Sequence, residues 1–133
     1  GAAVRPVAAL ELEANVVWTD WSVVRSRAFH DTLGVRAGAE YALPDVGVAL
    51  RAGYLYDPSP VPARALTPLV ADADRHAITL GASKQLGPVD VSVGLLWTIP
   101  RTRATAPGTM PEYPGTFEVS GYSAAFTVAG GIR

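Results

Sequence analysis

The chain has 133 residues, enough for one domain; 49% are hydrophobic and only 17% are charged, against about 25% in soluble domains. Eleven basic residues, ten Arg and the single Lys84, face twelve acidic ones for a net charge of −1, which excludes a basic nucleic-acid surface. There is no cysteine for a disulfide framework or a thiolate metal site, and no run of about 18 apolar residues that could cross a bilayer as a helix, which leaves the β-barrel as the spanning solution.

Taken in chain order, the hydrophobic period is two almost throughout. The first predicted strand covers about residues 7–19, with Leu10, Leu12, Ala14, Val16 and Trp18 on one face and Glu11, Glu13 and Asn15 on the other. The second, 31–43, sets Leu33, Val35, Ala37, Ala39 and Tyr41 against Gly34, Arg36, Gly38 and Glu40. The third, 46–57, sets Val48, Leu50, Ala52, Tyr54 and Tyr56 against Ala49, Arg51, Gly53 and Asp57. A turn at Pro44-Asp45 between them opposes Leu43 to Val46 and Arg51 to Gly38, with Glu40 one diagonal away; a two-residue shift opposes Glu40 to Arg51 directly.

The next stretch, YLYDPSPVPARALTPLVADADRH from Tyr54 to His76, carries four of the eleven prolines. Proline lowers the entropy lost on ordering a loop and cannot donate to a sheet ladder, so the segment is expected to form a stiff lid rather than a further strand. The fourth and fifth strands, 75–86 and 89–99, are joined by Gly87-Pro88 and repeat the pattern: Ile78, Leu80 and Ala82 oppose Thr79, Gly81 and Ser83, and Val91, Val93, Leu95 and Trp97 oppose Ser92, Gly94 and Thr98. A weaker sixth strand covers 117–133.

Strands of about ten residues match the roughly 9–11 needed to cross a bilayer better than the 5–6 usual in soluble sheets. The polar faces hold Gly, Ala, Ser and Thr with scattered Arg and Glu, which suits a barrel lumen, and aromatic residues gather near strand ends as in interfacial girdles. Short and long connections alternate, as periplasmic turns and extracellular loops do in outer-membrane barrels. The fold class expected is all-β: an antiparallel transmembrane barrel, here a six-strand portion in a single partial domain.

The segments LRAGYLYDPSPVP (Leu50 to Pro62), Thr67-Pro68 and DADRHAITLGAS (Asp72 to Ser83) resemble the late-strand signature of the FadL-type outer-membrane transporters of long-chain fatty acids. VVWTDWS (Val16 to Ser22) and GVRAGAEYAL (Gly34 to Leu43) are similar to the two strands before it. The resemblance implies a barrel of about fourteen strands, of which these are the C-terminal six, in the bacterial outer membrane. It also implies passive, porin-like transport of long-chain fatty acids or other hydrophobic compounds, with the lipid bilayer as partner, no enzymatic activity and no cofactor. The family's plug and early strands are not among these residues, so transport is expected of a larger barrel. Two alternatives stay open: a soluble all-β lipid-binding module, and a surface adhesin or structural barrel.

The candidate ligand residues are Arg36, Arg51 and Arg75, guanidinium groups on polar faces that could pair with a carboxylate in the lumen; pairing with lumen acids is the competing role. The extracellular loop motif comprises Tyr56, Asp57, Ser59, Pro60, Asp74, Arg75 and His76, with Asp74 and Arg75 expected to anchor loops. His76 beside Asp72 and Asp74 has the residue types of a metal site or a general base, but a lone histidine with local acids makes neither. Lys84 falls on the apolar face near a short turn, where its ammonium can snorkel to the interface.

Overall fold

In the computed structural model, which describes residues 1–27, 29–105 and 115–130, the alternating segments become seven strands of one antiparallel sheet. They are β1 (Ala2–Val7), β2 (Leu10–Thr19), β3 (Thr32–Leu43), β4 (Val48–Asp57), β5 (Arg75–Leu86), β6 (Val89–Ala104) and β7 (Thr116–Gly130). Each pairs only with its neighbours in sequence, so the sheet is an up-and-down meander with β1 and β7 at its edges, and it is not closed. The connections β1–β2, β3–β4 and β5–β6 are short and share one end, the turn end; the long ones, 20–31, 58–74 and 105–115, share the other, the loop end.

Three features differ from the sequence expectation. Residues 7–19 are not one strand: β1 and β2 form a hairpin turning at Ala8-Ala9, with Val7 opposite Leu10, so the count is seven rather than six. Pro6 lies inside β1, and an edge strand tolerates proline because one side of its backbone has no ladder to feed. The turn after β3 is not the two residues Pro44-Asp45. Pro44–Val46 form a single 3-10 turn closed by Gly47 at φ +62°, whose N–H donates to the Pro44 carbonyl at 3.1 Å. That left-handed conformation is open to glycine at no steric cost. The turn therefore sets Leu43 opposite Val48 and Glu40 directly opposite Arg51, not Gly38. Finally, β6 runs past Ile99 to Ala104 through a register shift between Thr98 and Arg101, where Pro100 sits, as prolines do at bulges. Residues 131–133 of the sixth expected strand lie outside the described residues.

The register assembles the two faces. Leu12, Ala39, Ala52, Leu80, Leu95 and Ala124 are linked pair by pair across β2 to β7 into one apolar row, and Leu10, Tyr41, Leu50, Ala82, Val93 and Phe126 into the next. This face is open to its surroundings: Leu80 is 56% exposed, Leu95 59% and Phe126 68%. Buried side chains among the described residues lie instead at the loop end. Val61, Leu66 and Ala73 belong to the 58–74 connection, while Ala77 and Thr98 are opposed on the polar face of β5 and β6. The core is therefore formed where a loop covers the polar face, not within the wall.

Candidate functional site

The polar face is concave. Two adjoining hollows of about 530 and 460 Å³ run along it. The first is lined by Glu11, Glu13, Asn15, Arg36, Glu40 and Arg51, and the second by small residues such as Gly81, Ser92, Gly94, Ser123 and Thr127; Thr79 borders both.

Near the turn end, charges cross four strands in one line. Arg5 Nε donates to Glu11 at 2.6 Å, Glu11 lies directly opposite Glu40, Arg51 Nε donates to Glu40 at 2.6 Å, and Arg51 Nη1 continues to the Ser83 hydroxyl at 3.0 Å. Two carboxylates opposed across a ladder repel, so each is compensated by its own guanidinium on the far side. The Glu40 and Arg51 side chains are nearly half exposed, and screening limits such a pair. A double-mutant cycle of Glu40→Gln and Arg51→Met on the unfolding free energy is expected to give a coupling of about 0.5–1 kcal/mol. Arg51→Met alone should cost more than Glu40→Gln alone, because it leaves Glu40 facing Glu11 uncompensated. A coupling of zero would release Arg51 for another role.

The structure separates the three candidate guanidinium groups. Arg51 is held by Glu40 and Ser83. Arg75 stands opposite Asp57 in the backbone register at the last step of the β4–β5 ladder, at the rim. Arg36 lines the first hollow between Asn15 and Leu55 in register. Among the described residues, neither Arg36 nor Arg75 has a side-chain hydrogen bond or ion-pair partner.

The loop motif divides between the two faces. Ser59 and Asp74 meet across the ends of the 58–74 connection, the Ser59 N–H donating to the Asp74 carboxylate at 2.9 Å. The Pro60 carbonyl accepts from the His30 N–H at 3.1 Å, joining this loop to the preceding one. His76 lies in the β4–β5 ladder opposite Tyr56, its ring centroid 4.8 Å from that of Tyr56, and its Nδ1 is 2.6 Å from the Tyr54 hydroxyl. These three rings belong to the apolar face, next to a register row that links Tyr54, Ile78, Trp97 and Tyr122. Such a row at the edge of an apolar band places amphipathic rings where hydrocarbon gives way to water. Lys84 stands opposite Val48 and Val91 near the other border of the same face. Sequence reasoning did not single out Arg103, whose guanidinium reaches the Ser59 hydroxyl.

No curated protein matches the chain. Residues 7–129 match the family model described as outer membrane protein transport protein (OMPP1/FadL/TodX). A meander of membrane-length strands, apolar and ring-bordered on one face, polar and concave on the other, carries that sequence match over nearly its whole length, and the chain belongs to this outer-membrane transport family.

Proposed function

We propose that the chain forms part of the wall of a passive outer-membrane channel for long-chain fatty acids or similar hydrophobic compounds bearing a carboxylate. The long connections face the outside of the cell, and the concave face lines the lumen. The observation that carries this reading is the unpartnered Arg36 guanidinium in the hollow of the polar face, while Arg51 is already neutralised. The Arg36 side chain is exposed on that face, and a guanidinium offers a carboxylate two parallel N–H donors. Leu55, Leu96 and the small residues of β5 to β7 leave space for an alkyl chain beside it. Unpaired N–H and C=O groups on β1 and β7 are not tolerated in hydrocarbon, so the reading includes further strands paired with both edges.

Uptake by intact cells tests the assignment. Arg36→Ala is expected to slow uptake of a fluorescent long-chain carboxylate by about tenfold, the scale of one lost charge-assisted hydrogen bond, and to leave uptake of its methyl ester unchanged. Equal loss for both compounds would refute a carboxylate contact, and no uptake of either by the unsubstituted protein would refute transport itself.

A further inference from the structure

The bulge in β6 re-aims one side chain. On strict alternation from Val91, Val93, Leu95 and Trp97, residue 103 would stand on the apolar face. The extra residue between Thr98 and Arg101 inverts that parity: Thr98 opposes Gly121, Arg101 opposes Val119 and Arg103 opposes Phe117, so Arg103 joins the polar face. There its Nη1 donates to the Ser59 hydroxyl at 2.9 Å and reaches the Asp72 carbonyl at 3.5 Å. Ser59 begins the 58–74 loop and Asp72 nears its end, so one guanidinium nitrogen holds both stems. The Ser59 hydroxyl, only 5% exposed as a residue, also accepts the Val61 N–H at 3.2 Å, and the Ser59 N–H is held by Asp74. Val61, Leu66 and Ala73 are buried in the loop that this network fixes.

We propose that Arg103 is the positioning residue of a lid: it latches the 58–74 loop across the loop end of the polar face, and release of the latch limits the rate at which ligand enters. The second half rests on the transport reading above; the first does not. The loop contributes its own apolar cover, so the latch need supply only its position. The contact comes from β6, the strand paired with the one the loop leads into, so it ties the loop to the wall beyond its own hairpin.

These 133 residues contain no cysteine, so each cysteine introduced among them adds one labelling site, read against the same protein without it. Ala73→Cys, at a site 4% exposed, reports the closed lid, and Leu69→Cys, at a site 96% exposed, reports reagent access. On intact cells carrying the protein, a membrane-impermeant maleimide is expected to label Cys at 69 readily and Cys at 73 slowly. Adding Arg103→Met, which keeps the stem and removes the donor, should speed labelling at 73 by about ten- to a hundredfold, the range for loss of a hydrogen bond from a charged group, without altering labelling at 69. Arg103→Lys, which restores a single charged nitrogen, should recover most of the protection, which a role in packing alone would not require. Heat-modifiable migration of the folded barrel on a gel should be the same for all variants. Unchanged labelling at 73 in Arg103→Met overturns the latch. Faster labelling with unchanged ligand uptake overturns entry control and leaves transport standing, whereas no uptake by the unsubstituted protein removes the transport reading and leaves the latch to be judged by labelling.

Discussion

Leu95→Arg is expected to destabilise the protein in a bilayer by about 1–3 kcal/mol, between the midplane and interface costs of a lipid-facing Arg, while Ser92→Arg, three residues earlier on β6, should cost less than about 1 kcal/mol. Leu95 belongs to the apolar row with Leu12, Ala39, Ala52, Leu80 and Ala124, one row inside the ring-bearing border of Tyr54, Ile78, Trp97 and Tyr122. A guanidinium there starts in hydrocarbon and reaches water only by stretching its stem past that row of rings, at the cost of the packing it crosses. Ser92 lines the second hollow and pairs with Ser83 and Thr127 on the polar face, where water or a ligand can solvate the new charge. Equilibrium unfolding from lipid vesicles in urea measures both. Equal costs at the two positions would mean that the two faces do not meet different solvents.

Gly53→Ala is expected to destabilise by about 1–3 kcal/mol through overpacking, and Thr79→Ala in the same protein should recover most of that loss. A Cβ on Gly53 would lie 2.5 Å from Thr79 Oγ1 and 3.3 Å from the Ala37 carbonyl oxygen. Gly53 and Thr79 are cross-strand partners on the polar face, so the clash is with the short, stiff side chain opposite and not with the end of a flexible one. Without Oγ1 the nearest threonine atom is its Cβ at 3.9 Å, an ordinary contact. The same urea titration resolves the four corners of this cycle. A cost that does not change when Thr79 is truncated would assign the strain to the Ala37 backbone instead.

The two faces were legible in the sequence because a strand period of two survives errors of register. Reading the β3–β4 turn two residues short misplaced Arg51 by one full repeat, yet kept Arg51 on the face of Glu40; only an odd slip exchanges faces. Gly47 was the hidden marker, since it fits the alternation as a small polar-face residue while acting as the left-handed end of the turn. An odd slip does occur in β6, at the bulge beside Pro100, and this is why Arg103 was invisible to periodicity although its role is carried by geometry. β1 was missed for a different reason: Ala2–Val7 offers one proline, one charge and little alternation over six residues, and its pairing with β2 depends on tertiary context. His76 was read as part of the loop motif although the expected strand 75–86 already contained it. Its place opposite Tyr56 depends on the register across the long 58–74 connection, which periodicity does not carry.

The burial of Val61, Leu66, Ala73 and Ala77 at the loop end means that one chain is stabilised against two solvents. The wall faces hydrocarbon, where packing and ladder hydrogen bonds hold it and apolar side chains gain nothing from leaving water. The cover over its mouth is held by expulsion of water, a driving force that weakens on cooling. Temperature is therefore expected to act unequally on the two parts: cooling weakens the force that buries the loop's apolar side chains and leaves the ladder hydrogen bonds of the wall in place.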